Sequence, residues 1–149
     1  MRLKLPLIGL ACLAAFAAVP VGYEHWTNDQ LQTHVKKLSG KVTADTIGSW
    51  SNHSLVVAHR EQDGEAEVHE RKVDIMFIEA GDADIVIGGT VPDSKSTGPG
   101  ERRGTKIEGG TKQALHAGDV IHIPADTPHQ MLVQAGHKID YYTVKVVSK

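Results

Sequence analysis

From Ser54 onward the chain sets short runs rich in Val and Ile between polar breaks: Leu55–His59, Ala66–His69, Val73–Ile78, Asp84–Ile87, Gln113–His116, Val120–Ile123, Gln130–Val133 and Ile139–Val147. Gly, Pro, Asp or Ala-Gly turns divide them. β-branched residues suit a pleated, half-buried surface, and many short strands at close spacing predict a sandwich or barrel. The preceding stretch has a different period. Thr27-Asn28-Asp29 can cap a helix, Leu31, Val35 and Leu38 recur at helical spacing, and Gly40 ends the run. Lys36 and Lys37 fall in the last turn, where they complement the helix dipole. One short amphipathic helix outside the barrel is therefore expected within residues 19–50, with 51–149 as the barrel. His34 on that helix reads as a solvated side chain.

The first residues carry a different signal. Arg2 and Lys4 precede an apolar run from Leu5 to Ala18, with Ala15-Phe16-Ala17 supplying a small-x-small cleavage pattern. Residues 1–18 are expected to be a signal peptide, which makes the protein secreted or periplasmic and free of the membrane after cleavage. The other readings are a buried N-terminal helix, an uncleaved anchor, or a lipoprotein modified at Cys12. Against the last, Gly9 stands where a large aliphatic residue is expected.

Length and composition narrow the classes. At 149 residues the chain is one domain with room for a core. Cys12 is its only cysteine, so the cleaved form has no thiol or disulfide and must rely on packing, with or without a metal. Losing Arg2 and Lys4 takes the net charge from -2 to -4, and no long basic run remains, which argues against a nucleic-acid partner. The segment from Pro92 to Gly110 is rich in glycine and charge. It reads either as a solvated loop or as a lid near the barrel mouth that offers Arg102 or Arg103 to an anionic substrate.

Two stretches carry the chemistry. In Glu67-Val68-His69, residues two apart share a strand face, so Glu67 and His69 can point inward together while Val68 points away. Asp74 and Gly81 follow at spacings of five and seven positions, and further on come Gly118, Pro124, Asp126 and His129. In residue types, order and spacing these resemble the two motifs of the cupin superfamily, across roughly Ser54 to Val147. The first motif in that family typically reads His-x-His, three or four residues, Glu, six residues, Gly. Here Glu67 replaces the first His and Asp74 replaces the Glu. The second reads Gly, five residues, Pro-x-Gly, two residues, His, three residues, Asn. Here Asp126 replaces the middle Gly and Val133 the final Asn. Asp is one of the few residues that enter the left-handed region in place of glycine.

The resemblance implies an all-β jelly-roll (double-stranded β-helix) barrel, commonly a homodimer, with a divalent metal held by Glu67, His69, Asp74 and His129. Two imidazoles and carboxylate oxygens favour Mn(II), Fe(II) or Zn(II), with copper and nickel as lesser options. Asp74 is shorter than Glu by about 1.5 Å, so its backbone must come closer or it orients His69 instead of binding metal. The opposing reading is a barrel that has lost its metal and keeps these residues as polar lining. Burying two carboxylates together without a cation is costly, which argues for an ion.

Two functions follow. One is a metalloenzyme acting on a small oxygenated substrate (a sugar acid, phenolic or hydroxy acid) by Lewis-acid or oxygen-activating chemistry, with Glu67 as fourth ligand or, unligated, as catalytic base. The other is a non-catalytic barrel that binds a small ligand or carbohydrate. Among the remaining side chains, His122 is expected on the outer or interface face with Val120, and His59 is a candidate substitute for the histidine missing at 67. One of Tyr141 and Tyr142 must point inward, and His116 and His137 sit at solvated turn edges.

Overall fold

The computed structural model describes residues 19–38 and 40–148. The expected signal peptide, with Cys12, lies outside the described residues. The expected helix forms as α1, Asn28–Lys37. Its start is a capping box: the Thr27 hydroxyl accepts from the Gln30 amide at 3.3 Å, and the Thr27 amide donates to the Gln30 side chain at 2.8 Å. Val35 is its buried residue, and Gln32 donates to Glu79 at 3.1 Å and to the Tyr142 hydroxyl at 3.4 Å. These contacts hold α1 on the outside of the barrel. Among the described residues no helix is long and apolar enough to cross a membrane.

Ten antiparallel strands form the barrel: β1 Val42–Ser49, β2 His53–Arg60, β3 Ala66–His69, β4 Lys72–Ile87, β5 Lys95–Gly98, β6 Glu101–Gly104, β7 Thr111–His116, β8 Val120–Ile123, β9 His129–Leu132 and β10 Ile139–Val147. Neighbours run β1-β2-β10-β4-β9-β3-β6-β5, with β7 and β8 also pairing β4. The interior is filled by Met76, Ile78, Ile85, Ile123, Met131, Ile139 and Tyr141.

Three elements differ from the sequence reading. Strand β1 lies within residues 19–50, where only a helix was expected. It pairs with β2 from Val42↔Arg60 to Ser49↔Ser54, but most of its residues are exposed, so it carries no apolar alternation to announce it. The runs Val73–Ile78 and Asp84–Ile87 are parts of one strand, β4. Its first half pairs β10 and β8 and its second half pairs β7 and β9. The change falls at Gly81, where φ is +78° and an added Cβ would lie 1.9 Å from the Lys138 carbonyl oxygen. Only glycine fits that corner. Third, the segment from Pro92 to Gly110 contains the β5–β6 hairpin, whose β6 hydrogen-bonds to β3. It is part of the sheet, not a solvated loop.

Candidate metal centre

Strand geometry assembles the site. On β3, Glu67 pairs with His129 of β9 on one side and with Arg103 of β6 on the other, while His69 pairs with Glu101 of β6. Asp74, the third residue of β4, lies opposite Lys145 of β10. The turn that delivers His129 is set by Asp126, whose φ of +57° is the left-handed conformation expected of it. The Asp126 amide donates to the His69 carbonyl at 2.8 Å, which ties the two histidine-bearing segments together.

One nitrogen or oxygen from each of Glu67, His69 and His129 lies within 4.8 Å of the others. Asp74 Oδ2 is 3.4 Å from His69 Nε2 and 3.7 Å from His129 Nε2, so it borders the same point. All four sequence-predicted ligands are therefore brought to one place, with Glu67, His69 and His129 the tightest group.

The two imidazoles are set up differently. His129 is buried, and its Nδ1 donates to the Thr127 carbonyl at 3.0 Å. Nε2 is then the lone-pair nitrogen, and it is buried without a hydrogen-bond partner. Burial keeps this ring neutral by pushing its pKa below the ordinary histidine value. An orphaned, buried imidazole nitrogen aimed at two carboxylates is the atom a metal ion would satisfy. His69 is gripped at Nδ1 by Glu101 Oε2 at 2.5 Å, the carboxylate–imidazole arrangement that fixes ring orientation and strengthens the other nitrogen as a ligand.

Lys145 is the unexpected member. Its ammonium lies 2.7 Å from Asp74 Oδ2 and 2.9 Å from His69 Nε2. Burial alone would lower the His69 pKa, but hydrogen bonds with Asp74 and Glu67 outweigh it and raise the value to about 9. The 2.9 Å contact leaves room for one proton between Lys145 Nζ and His69 Nε2, so the pair brings a single positive charge to Asp74, and Arg103 adds a second beside Glu67. Glu67 and Asp74 are held well below the usual carboxylate range. Burial opposes this in both, and the His69 hydrogen bond overcomes it, with help from Arg103 and Lys145 at Glu67 and from Lys145 at Asp74. The donor set fits a divalent cation in charge and in ligand type, provided that the ion displaces the His69 proton and the Lys145 ammonium.

Glu67 and Asp74 open onto a cavity of about 190 Å³ in the barrel. Arg60, Arg103, Tyr141 and Lys145 line it beside Glu67 and Asp74, and Val56, Met76, Ile85 and Met131 give it apolar walls. Arg60 donates to the Tyr141 hydroxyl at 2.7 Å and to Glu67 Oε1 at 3.2 Å.

Of the other candidates, Tyr141 is the inward tyrosine and Tyr142 faces α1. His122 is exposed, as are His116 and His137, and His137 pairs with Asp82 at 2.7 Å. His59 does not replace the missing histidine: it contacts Asp140 at 2.5 Å and Glu61 at 3.3 Å, while its strand neighbours Ala58 and Arg60 line the cavity. His34 lies 3.4 Å from Asp45. Arg102 turns to Glu70 and Asp126, leaving Arg103 as the arginine of that pair that reaches the cavity.

Glu101, Arg60 and Lys145 were not singled out from the sequence. For two of them a signal existed. Once Tyr141 is taken as inward, Thr143 and Lys145 share its face by strand period, and Arg60 shares the face of Ala58. Glu101 had none, because its role depends on the pairing of β6 with β3.

No family model matches the chain, and no curated protein matches it. Solved structures do. An uncharacterised protein with a double-stranded β-helix domain from Klebsiella pneumoniae aligns with a TM-score of 0.59 at 15% identity, over 80% of this chain and 88% of that one. A cupin-2 domain protein from Rhodospirillum rubrum aligns with a TM-score of 0.53 at 14% identity, over 73% and 62%. A polyketide cyclase from Streptomyces resistomycificus aligns with a TM-score of 0.51 at 14% identity, over 71% of this chain and 65% of the cyclase. The fold is thus the cupin-type double-stranded β-helix. Its buried Glu/His/His group can bind a metal, and proteins of this fold include enzymes.

Proposed function

We propose that this protein is an exported cupin metalloenzyme acting on a small oxygenated substrate. The observation that carries the reading is the convergence of Glu67, His69 and His129 around the partnerless Nε2 of His129, next to a cavity that Glu67 itself lines. Those three residues hold the ion, and Asp74 is the fourth ligand or orients His69. Manganese, iron or zinc suits two imidazole nitrogens with carboxylate oxygens. When bound, the ion supplies Lewis acidity or oxygen activation. The chain's own residues do the rest. Thr127 and Glu101 fix the two imidazoles, and Tyr141 braces Arg60 over Glu67. For Glu67, ligation is better supported than general-base catalysis, because its Oε2 lies 3.3 Å from His69 Nε2 and 3.9 Å from His129 Nε2, within the tightest group of donor atoms.

Elemental analysis of protein purified from its native compartment tests the metal. One equivalent of a transition metal, reduced in Glu67→Gln, is the expected result. Less than a tenth of an equivalent, with no uptake on titration, would remove the reading. Intact mass of the exported chain tests the leader: a mass lacking residues 1 to about 18 is expected. The resemblance adds a homodimer to the proposal, to be checked by solution mass.

A second reading has one specific observation behind it. Lys145 already places an ammonium against Asp74 and His69. In a metal-free binding protein, Lys145 would be the permanent counter-ion and the cavity a simple small-ligand site.

A further inference from the structure

The cavity has a charge pattern that the metal site alone does not use. Three cations line it, Arg60, Arg103 and Lys145, against two carboxylates, Glu67 and Asp74. The charge count rests on the metal reading above: once an ion draws on the carboxylates, the cations are left around a small, partly desolvated space. Buried cations without counter-charge are costly. An anionic ligand completes the arrangement.

We infer that the barrel binds a small organic carboxylate between Arg103 and Lys145, with its short apolar part against Met76, Ile85 and Met131. Arg103 is suited to this. Its Nη1 donates to the Arg102 carbonyl at 3.0 Å and lies 3.4 Å from Glu101, but its Nη2 has only a 3.5 Å contact with Glu67, longer than the ~2.7–2.9 Å of a close charge-assisted hydrogen bond. The Nη2 side of its planar fork is thus incompletely engaged, and a guanidinium fork matches a carboxylate in two-point contact. The Arg103 and Lys145 side chains are 23% and 22% exposed, so both can be reached from the barrel mouth. Arg60, by contrast, is fixed by Tyr141. Size is compatible: a cavity of about 190 Å³ accommodates a small organic acid such as a four-carbon one.

Calorimetric titration with butyrate and butyramide tests this, on chelator-stripped protein and on Mn(II)-loaded protein whose metal content is measured separately. Butyrate should bind at least tenfold tighter than its uncharged isostere. Arg103→Met should remove at least tenfold of butyrate affinity without lowering metal content, and Arg103→Lys should recover part of it. Arg102→Met, whose guanidinium pairs with Glu70 and Asp126, should leave butyrate binding unchanged. Equal binding of acid and amide, binding of neither, or equal losses in the two methionine variants would overturn the inference. Failure to take up Mn(II) would count against the metal reading alone. In that case an Arg103-dependent preference for butyrate in stripped protein would still support the carboxylate site, and its absence would refute it.

Discussion

Lys145 Nζ lies 2.9 Å from Nε2 of His69, the nitrogen that a metal ion in this barrel would take. The pair is held by Asp74, 2.7 Å from the ammonium and 3.4 Å from the imidazole. The protein therefore folds around its own cation, and metal loading is an exchange of cations.

Replacing Lys145 with Met should tighten divalent-metal binding by about tenfold or more, since a hydrogen bond to a charged group is worth ~1.5–3 kcal/mol. The stripped variant should also melt lower than stripped wild type, because Asp74 is left buried without its cation. Metal titration and thermal melts of the stripped and loaded forms measure both effects. Unchanged affinity would mean that Lys145 does not compete with the ion.

The exchange also makes binding depend on pH. With the His69 pKa raised to about 9, the His69–Lys145 pair shares a proton at neutral pH that a metal at Nε2 must displace. Apparent affinity should then climb about tenfold per pH unit as pH rises towards about 9 and level off above. The stripped protein should behave oppositely. A raised histidine pKa contributes stability that is complete below its ordinary value of 6.5 and is lost as pH rises through about 9. A flat affinity profile across this range would exclude His69 as the displaced proton's carrier.

His129→Ala should empty the site, whereas His122→Ala should not. His129 is buried with Nε2 turned to the carboxylates, and His122 is exposed on β8. Metal content per chain, measured side by side after equal loading, decides the matter. Similar values in the two variants would displace His129 from the ligand set.

Glu101→Gln should weaken metal binding by about 10- to 100-fold without removing a ligand, since it loosens the grip on His69 Nδ1. The pKa of His69, followed by NMR in stripped protein, should fall in the same variant. No change in either quantity would reduce Glu101 to a surface partner of Lys72, which it also contacts at 2.7 Å.

The sequence displayed what strand period and turn chemistry encode. His69, Asp74 and His129 sit at spacings that only a fixed barrel geometry would require, and Asp126 marks a left-handed turn where glycine is usual. The helix was legible down to its Thr27 cap. Strand β1 was hidden because an exposed strand has no apolar alternation to read. Glu101 was hidden for a different reason. It lies in a segment whose composition resembles a loop, and a hairpin's place in a sheet depends on which edge it meets. Lys145 could have been found by extending the period from Tyr141 along β10, but a charged residue near the end of a strand reads as solvated.

The β5–β6 hairpin joins the barrel strands through β3 alone, yet it sets Glu101 opposite His69 and Arg103 opposite Glu67. Sliding it by two residues would preserve its face while presenting a different pair of side chains to the centre. Insertions or deletions in the glycine-rich segments on either side could achieve such a slide and leave the rest of the barrel untouched. A lineage can in this way retune the acidity of one imidazole and the charge at the mouth together, in a single heritable step, while the scaffold drifts slowly beneath it.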